Sequence, residues 1–404
     1  TSSLVGSEMC IRDRFNTVRR MDVLSEFLED ESVTEIMING YDNIFIERSG
    51  RVYKVDQTFE NEERLASIIQ QIVAGCNRIV NEAVPIVDAR LADGSRVNVV
   101  LPPISLNGPT MTIRKFPKEK MTMERLIEVG ALSEDAAEFL KRLVKARYNI
   151  FVSGGTGAGK TTFLNALSDY IPQQERVITI EDSAELQLKN VVNLVRLESR
   201  NSNVEGTNAV TIRELIKSSL RMRPDRVIVG EVRDAAAIDM LAAMNTGHDG
   251  SLSTGHANSS GDMITRLESM VLMGMELPLE AVRRQIASAV DVIIHLGRLR
   301  DGSRKVLEIA EVTGMREGLV ELHTIYEFEE MVAGEEQEVT DMVYAAAGTL
   351  SEQNVTDGFQ LQKVTGRLRA RAELLHQEKF LRAGIAYKSV LCAEVRSEGC
   401  LLYT

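Results

Sequence analysis

The spacing of hydrophobic and polar residues changes partway along this chain. Over residues 15–117, alternating stretches such as 35–39 and 43–47 predict two strands joined by a turn. Residues 63–76 place apolar side chains at helical spacing, which predicts an amphipathic helix. Further strand-like stretches are 51–55, 89–101 and 111–116. We therefore expect a small α+β domain over residues 15–117.

From residue 148 onward, runs of four to six apolar residues alternate with helical periodicity, as a parallel α/β sheet requires. The predicted strands are 148–153, 177–181, 191–196, 226–230, 250–254 and 291–296. The predicted helices are 160–169, 211–221, 234–245, 260–272 and 279–289, and Thr211 with Glu214 forms a capping-box pattern. We expect a linker with helices over 118–147, the α/β domain over 148–330, and a variable extension over 331–399 with helical texture at 367–381.

Composition narrows the class of protein. The chain has 404 residues, of which 44% are hydrophobic and 26% charged, and its formal net charge is -12. This acidic balance argues against a general nucleic-acid binder, although a local basic patch would be compatible with it. No apolar run approaches the ~18 residues that span a bilayer, and none resembles a signal peptide. We expect a cytoplasmic protein at the inner face of the membrane that reaches the membrane through partners.

Both ends of the chain resemble translated sequencing-adapter sequence, at residues 4–13 and 400–404. Residues 1–14 and 400–404 are therefore set aside as adapter-derived. This leaves Cys76 and Cys392, which are too few and too far apart for a disulfide framework or a zinc site.

The clearest chemical motif is a glycine-rich segment between a predicted strand and a predicted helix. It fits the pattern G-x-x-x-x-G-K-[ST], in which backbone N–H groups and a helix N-terminus surround phosphate oxygens. We expect Lys160 to reach the β- and γ-phosphates of ATP and the Thr161 hydroxyl to bind Mg²⁺. A glycine-rich turn that binds nothing is the alternative. The residues are Gly154, Gly155, Thr156, Gly157, Ala158, Gly159, Lys160, Thr161 and Thr162.

Acidic residues follow two of the predicted strands. The strand at 226–230 is followed by Glu231, which we expect to orient the attacking water and to contact Mg²⁺ through water. Its alternative role is to cap the next helix. Glu181, Asp182 and Glu185 follow the strand at 177–181 and are expected to hold hydrated Mg²⁺ or to position water. A solvated acidic loop is the alternative for these three.

His248 and His256 flank a short predicted strand, and we expect both beside the same edge of the sheet. There they would hydrogen-bond the γ-phosphate or sense its loss. Their spacing, without Cys or acidic companions, is not typical of zinc. A lone histidine is usually structural, and this is the expectation for His295, His323 and His376.

The order of these four motifs resembles that of the type II/type IV secretion ATPase superfamily. There they are called the Walker A, Asp box, Walker B and His box. The resemblance covers about residues 15–330 and is weaker at 365–369 and 380–384, while 331–363 does not match the family pattern. The segments most similar to the CpaF branch, which serves tight-adherence (Flp) pili, are 33–40, 92–98, 108–116 and 195–200.

The resemblance implies a RecA-like P-loop NTPase domain preceded by a small α+β N-terminal domain. It further implies a homo-hexameric, Mg²⁺-dependent ATPase, with ATP between the two domains, that docks on inner-membrane pilus or secretion platform proteins. Arg96, Arg114 and Arg200 match the family's arginines and become candidates for arginine fingers, with surface salt pairs as the alternative.

Three other functions remain open. The first is a related motor from a type II secretion, type IV pilus or conjugation system, although the four-cysteine zinc module usual in type II secretion ATPases is absent. The second is a nucleotide-binding structural subunit that does not hydrolyse ATP, against which Lys160, Thr161 and Glu231 weigh. The third is a nucleic-acid translocase, which the net charge disfavours.

Overall fold

The computed structural model describes residues 21, 23–48, 50–76, 78–116, 121–200, 209–331 and 364–391. The chain divides into two compact units, Thr1–Lys120 and Met121–Thr404. The adapter-like ends, the expected linker residues 117–120 and most of the expected extension, 332–363 and 392–399, lie outside the described residues.

The described residues of the N-terminal unit contain a six-stranded antiparallel sheet and two helices. Its strands are β1 (Val33–Asn39), β2 (Ile44–Arg48), β3 (Arg51–Lys54), β4 (Ile86–Arg90), β5 (Arg96–Val100) and β6 (Thr110–Arg114). Its helices are α1 (Leu24–Glu29) and α2 (Glu62–Gly75). The strand order is β3-β2-β1-β6-β5-β4, and every neighbouring pair is antiparallel. The α+β domain expected over this region is therefore present.

Burial in this unit follows the sequence periodicities. Ile36 and Ile38 alternate with more exposed residues along β1, and both are fully buried. In α2, Leu65 and Ile69 lie one helical turn apart and belong to the same core cluster. Each such side chain contributes roughly 1.5–3 kcal/mol through its removal from water.

The second unit contains a nine-stranded sheet within the described residues. Its strands are β7 (Ile150–Gly154), β8 (Arg176–Glu181), β9 (Asn193–Glu198), β10 (Arg226–Val229), β11 (Leu252–Gly255), β12 (Val292–Arg298), β13 (Arg304–Arg316), β14 (Leu319–Glu330) and β15 (Gly366–Ala370). Its helices are α3 (Met123–Glu128), α4 (Glu134–Lys145), α5 (Lys160–Ser168), α6 (Ile212–Ser219), α7 (Ala236–Asn245), α8 (Ser260–Gly274), α9 (Leu279–Ala289) and α10 (Glu378–Arg382).

The sheet of this unit is parallel in one part and antiparallel in the other. Its order is β15-β14-β13-β12-β7-β11-β10-β8-β9, and the six strands from β12 to β9 run parallel. Alternate residues of a central strand enter two separate core clusters: Ile150 and Val152 belong to one, Phe151 to the other. The sheet is therefore covered on both faces, as parallel sheets are, and the predicted α/β class is confirmed.

Two features of this unit differ from the sequence expectation or go beyond it. The helical texture expected at 367–381 is wrong for its first part, because Gly366–Ala370 is strand β15 and pairs with β14. Only Glu378–Arg382 is helical there. The long hairpin of β13 and β14 was not predicted.

No helix among the described residues is both long enough and apolar enough to cross a lipid bilayer.

Candidate active site

The glycine-rich segment joins the fully buried strand β7 to helix α5, which begins at Lys160. Gly159 caps this helix with a φ of 91°, in the left-handed region that favours glycine. A Cβ atom at Gly154 would lie 2.6 Å from the carbonyl oxygen of Leu296 on the neighbouring strand β12. The close approach of two strands therefore requires glycine at the position where the loop leaves the sheet.

Lys160 is largely buried in the protein, with 7% of its surface exposed. Its Nζ donates hydrogen bonds of 3.0 Å to the carbonyl oxygens of Gly154 and Gly155 and lies 3.3 Å from Nδ1 of His256. Burial lowers the pKa of Lys160, although the nearby Glu231 carboxylate opposes this shift. The lysine is held within its own loop, at the point where a phosphate chain would enter.

Glu231 lies two residues beyond the end of β10. One carboxylate oxygen is 2.9 Å from Nε2 of His256, and the other accepts a hydrogen bond of 2.8 Å from the Arg233 guanidinium. Because the ammonium group of Lys160 only donates, Nδ1 of a neutral His256 accepts from it, and the ring proton is then on Nε2. The Glu231 oxygen near Nε2 is buried and has no hydrogen-bond partner among the described residues. Burial lowers the pKa of His256 although the Glu231 carboxylate opposes it. Lys160, His256 and Glu231 thus form one connected group.

Glu181 is the last residue of β8 and is 3% exposed. One carboxylate oxygen accepts hydrogen bonds from the backbone N–H groups of Glu185 (2.8 Å) and Leu186 (3.0 Å). The other oxygen is buried without a hydrogen-bond partner among the described residues. Burial raises the pKa of Glu181 despite the two backbone bonds. A Cβ at Gly230 would lie only 2.9 Å from Glu181 Cγ, so glycine before Glu231 makes room for this carboxylate.

Asp182 differs from Glu181 in being about half exposed. Its carboxylate lies 3.3 Å from Arg233 and accepts a hydrogen bond of 3.1 Å from the hydroxyl group of Ser199. Arg233 therefore bridges Asp182 and Glu231. Arg233 was not singled out from the sequence, because a single arginine two residues after an acid carries no distinctive pattern.

The two histidines lie at opposite ends of strand β11, so the expectation that both stand beside one sheet edge is wrong for His248. His256 directly follows β11 at the carboxyl edge, near Lys160. His248 precedes the strand, and its Nδ1 lies 3.1 Å from the carbonyl oxygen of Ala243 near the end of α7. The loop that follows His248 is hydrogen-bonded to the side chain of Asn149, which lies just before β7. His248 is therefore at the edge of the sheet where the parallel strands begin.

The three candidate arginines lie in different places. Arg96 and Arg114 are in the N-terminal unit and stand directly opposite each other on β5 and β6. Arg114 also faces Glu35 on β1. Arg200 is in the second unit, where it forms an antiparallel bridge with Val210 after β9.

The donor set at the carboxyl edge fits a magnesium ion that is bound partly by nucleotide. Among the described residues, no group of three or more His, Cys, Asp and Glu side chains could hold a metal ion by itself. Mg²⁺ characteristically takes one or two protein oxygens and completes its shell with phosphates and water. The hydroxyl group of Thr161 in the first turn of α5 and the unpartnered buried oxygen of Glu181 fit that demand.

Comparison with known proteins shows the family to which the chain is similar. The family model described as "Type II/IV secretion system protein" matches residues 19–378. A Mycobacterium tuberculosis protein named for conjugal transfer is 34% identical over 331 residues, which cover 80% of this chain and 93% of that protein. The type IV secretion system protein VirB11 of Brucella suis is 32% identical over 339 residues, covering 76% and 93% respectively.

The fold is also similar to that of a solved motor protein. The crystal structure of the pilus retraction motor PilT with bound ADP superimposes with a TM-score of 0.54 at 21% identity, covering 75% of this chain and 82% of PilT. The RecA-like fold with a preceding N-terminal domain, expected from the sequence, is confirmed. The family model matches most of the chain, and the four motifs occur in the family's order. This chain therefore belongs to the type II/IV secretion system protein family and is an ATPase of that superfamily.

Proposed function

We propose that this protein hydrolyses ATP in a Mg²⁺-dependent reaction at the carboxyl edge of its parallel sheet, and that the reaction drives a ring-shaped secretion or pilus-assembly motor. The observation that carries the proposal is the convergence of Lys160, His256 and Glu231 beside the glycine-rich loop. Parallel α/β sheets bind their ligands at this edge, outside the carboxyl ends of the strands.

The proposed roles follow from the geometry. The N–H groups of residues 154–159 and the start of α5 receive the phosphates, and Lys160 exchanges its two loop carbonyls for β- and γ-phosphate oxygens. Water attacks the γ-phosphorus as the bond to the β–γ bridging oxygen breaks, and ADP leaves with that oxygen. Glu231 orients the water and accepts its proton, while the Arg233 guanidinium holds the Glu231 carboxylate and His256 lies beside it.

The bound metal would be held by Thr161 and by the unpartnered oxygen of Glu181, directly or through water, and by Asp182 and Glu231 through water. When bound, Mg²⁺ would neutralise phosphate charge as it develops. Glu181 keeps one buried oxygen directed away from the backbone N–H groups that hold the other, and Glu185 supplies one of those N–H groups. We assign Glu181 and Glu185 to positioning water at this edge.

The proposed assembly is a homo-hexamer in which a neighbouring subunit completes each site. Arg96 and Arg114 are two candidates for the residue that completes a neighbour's site; they lie at paired positions on β5 and β6, and Arg114 also faces Glu35 on β1. Arg200 is the third candidate. One of these arginines would stabilise the charge on the γ-phosphate of a neighbour.

For the cellular system, we propose assembly of tight-adherence pili, with inner-membrane platform proteins as partners and the ATPase at the cytoplasmic face of that membrane. The segments 33–40, 92–98, 108–116 and 195–200 support the CpaF-type assignment. A conjugative or type IV secretion motor is the second candidate, favoured by the names of the M. tuberculosis and VirB11 relatives. Complementation distinguishes the two: the chain should restore pili in a strain lacking its tight-adherence ATPase and should not restore DNA transfer in a conjugation mutant.

The central experiment measures ATP turnover by the full chain across protein concentration, with Lys160→Ala and Glu231→Gln beside it. Turnover per chain should rise with concentration, depend on added Mg²⁺, and fall by about 10²-fold or more in both variants. Lys145→Ala and Glu276→Gln, which remove the same charges from exposed surface positions, serve as matched controls. Nucleotide binding without turnover at any concentration would instead identify a structural subunit that does not hydrolyse ATP.

A further inference from the structure

A cationic side chain outside the four motifs contacts the glycine-rich loop. Arg304 is the first residue of β13, and its Nε donates a hydrogen bond of 2.8 Å to the carbonyl oxygen of Gly157 at the middle of the loop. A Cβ at Gly159 would lie 3.5 Å from Cδ of the same side chain. The arginine therefore lies along the loop.

The fold fixes the backbone of Arg304 next to the loop. Strand β12 is the hydrogen-bonded neighbour of β7, with Leu296 opposite Gly154. The turn from β12 into β13 is held by Asp301, whose carboxylate accepts from the backbone N–H (2.9 Å) and the hydroxyl group (2.6 Å) of Ser303. The second oxygen of Asp301 accepts from the backbone N–H of Val364, at 2.8 Å. These bonds tie the turn to the segment that enters β15.

This contact matters because it adds a restraint at Gly157 to a loop that is rich in glycine. Gly157 has a φ of 73°, a conformation that glycine reaches and leaves at little cost. A loop with several glycines loses much backbone freedom when it closes around phosphates, and that loss weakens binding. A hydrogen bond from a charged guanidinium to Gly157 restricts the peptide plane before the ligand arrives. The same group adds a permanent positive charge beside the path of the phosphate chain.

We propose that Arg304 is a positioning residue for the nucleotide's phosphate chain, acting through the Gly157 carbonyl to hold the glycine-rich loop in its binding conformation. This inference rests on the nucleotide site proposed above. The position of the loop then depends on the β12–β13 turn. Through Asp301 it also depends on the residues that lead into β15, since Asp301 accepts a hydrogen bond from Val364.

The test compares Arg304→Ala and Arg304→Lys with Arg298→Ala. Arg298 pairs directly with Arg304 across the same hairpin and is likewise exposed, so its removal costs the same charge. Binding of N-methylanthraniloyl-ADP by the full chain is followed by fluorescence. Arg304→Ala should weaken binding about tenfold, mostly through faster dissociation, and Arg304→Lys should recover most of the loss because lysine also donates to a carbonyl. Arg298→Ala should stay within about twofold of the wild type.

Steady-state kinetics add a readout that general destabilisation would not reproduce. In Arg304→Ala, kcat/KM for ATP should fall more than kcat, because the loop closes once ATP saturates it. Binding by Arg304→Ala equal to that of Arg298→Ala overturns the inference, as does a loss that lysine does not recover at all. Lys160→Ala tests the nucleotide site separately from the role of Arg304. Unchanged ADP binding in Lys160→Ala refutes the nucleotide site itself. Weak ADP binding in Lys160→Ala together with wild-type binding in Arg304→Ala refutes only the role of Arg304.

Discussion

Nε2 of His256 lies 2.9 Å from a carboxylate oxygen of Glu231, and the opposite nitrogen of the same ring lies 3.3 Å from Nζ of Lys160. One imidazole thus touches both charged residues assigned to ATP hydrolysis. Strand order explains this contact, because Glu231 follows β10 and His256 follows its hydrogen-bonded neighbour β11. The ring can serve as a link only while it is neutral, since protonated Nδ1 cannot accept from Lys160.

Replacing His256 should therefore change both the rate and its pH dependence. Burial lowers the pKa of His256 below its usual 6.5. Wild-type kcat should hold at neutral pH and fall as the pH drops through that lowered pKa, where the ring gains a proton. His256→Asn should reduce kcat at pH 7.5 about tenfold and flatten the acidic limb of the profile.

His323 provides the control for this experiment, because it lies on β14 and contacts the backbone of Glu373. His323→Asn should keep the wild-type rate at pH 7.5. An acidic limb that persists unchanged in His256→Asn would show that another group controls it.

Removing one partner of a buried ion pair should strongly destabilise the second unit, Met121–Thr404, which is called the ATPase unit below. Arg226 is fully buried and pairs with Glu175 through two of its nitrogens, while a third donates to the carbonyl oxygens of Val144 (2.8 Å) and Gly250 (3.2 Å). Glu175→Gln leaves the guanidinium buried without its counter-charge and should lower the free energy of unfolding by about 3–5 kcal/mol. Urea titration followed by circular dichroism measures the change.

A double-mutant cycle checks the cause of that loss. Glu175→Gln combined with Arg226→Met removes both charges, so the double variant should be less destabilised than the sum of the single variants. Additive losses would contradict the ion-pair interpretation.

The stability of the ATPase unit should also depend on pH through His295. This residue is 7% exposed, and its Nδ1 lies 2.9 Å from the hydroxyl group of Ser153, directly before the glycine-rich loop. Burial lowers the pKa of His295, although the carboxylates of Glu308 and Asp262 oppose it. The unfolded chain therefore binds a proton at a higher pH than the folded chain. The contribution of neutral His295 to the free energy of unfolding is therefore complete above pH 6.5. This contribution is lost as the pH falls through the lowered pKa of the folded chain.

Urea titrations at pH 7.5 and 5.5 test this dependence. The loss of stability between the two pH values should be smaller in His295→Gln than in the wild type. Ser153→Ala removes the hydroxyl group and keeps the buried ring, so it should retain the wild-type pH dependence. Equal pH dependence in His295→Gln and the wild type would assign the loss to other groups.

The described part of the C-terminal segment should prove to be part of the ATPase core. Phe380 is 1% exposed, and its ring centroid lies 5.3 Å from that of Tyr148 and 5.5 Å from that of Tyr387. Phe380→Ala should destabilise this unit by about 3–5 kcal/mol. The adjacent Leu381 is 79% exposed, and Leu381→Ala should change stability by no more than about 0.5 kcal/mol. Thermal unfolding of both variants measures the difference, and similar shifts in the two would contradict the packing described.

Local patterns predicted much of the ATPase unit from sequence. Strand β10, which ends shortly before Glu231, was predictable because a buried parallel strand is a short run of apolar residues. Such a run can be recognised in the sequence without knowing which strands lie beside it. The capping box of Thr211 and Glu214 is present at the start of α6, since the hydrogen bonds involved span only three residues. These features depend on contacts that are close in sequence.

The missed features depend on distant contacts. Helical texture was expected at 367–381, yet Leu368 pairs with Phe328 on β14, and this pairing overrides the local preference. His248 and His256 are close in sequence, but the buried strand β11 places one at each edge of the sheet. Arg304 could not be recognised because its partner Gly157 is 147 positions away.

The two hydrogen bonds from Lys160 to the carbonyl groups of Gly154 and Gly155 also bear on how nucleotide leaves. They give the ammonium group a second set of acceptors inside the protein, so phosphate oxygens and loop carbonyls compete for the same three protons. At the proposed site, these carbonyls would accept hydrogen bonds from Lys160 when ADP departs, so the buried ammonium group would keep its hydrogen bonds. Affinity for nucleotide is then the difference between two well-satisfied states, which favours the rapid exchange that a repeating motor requires.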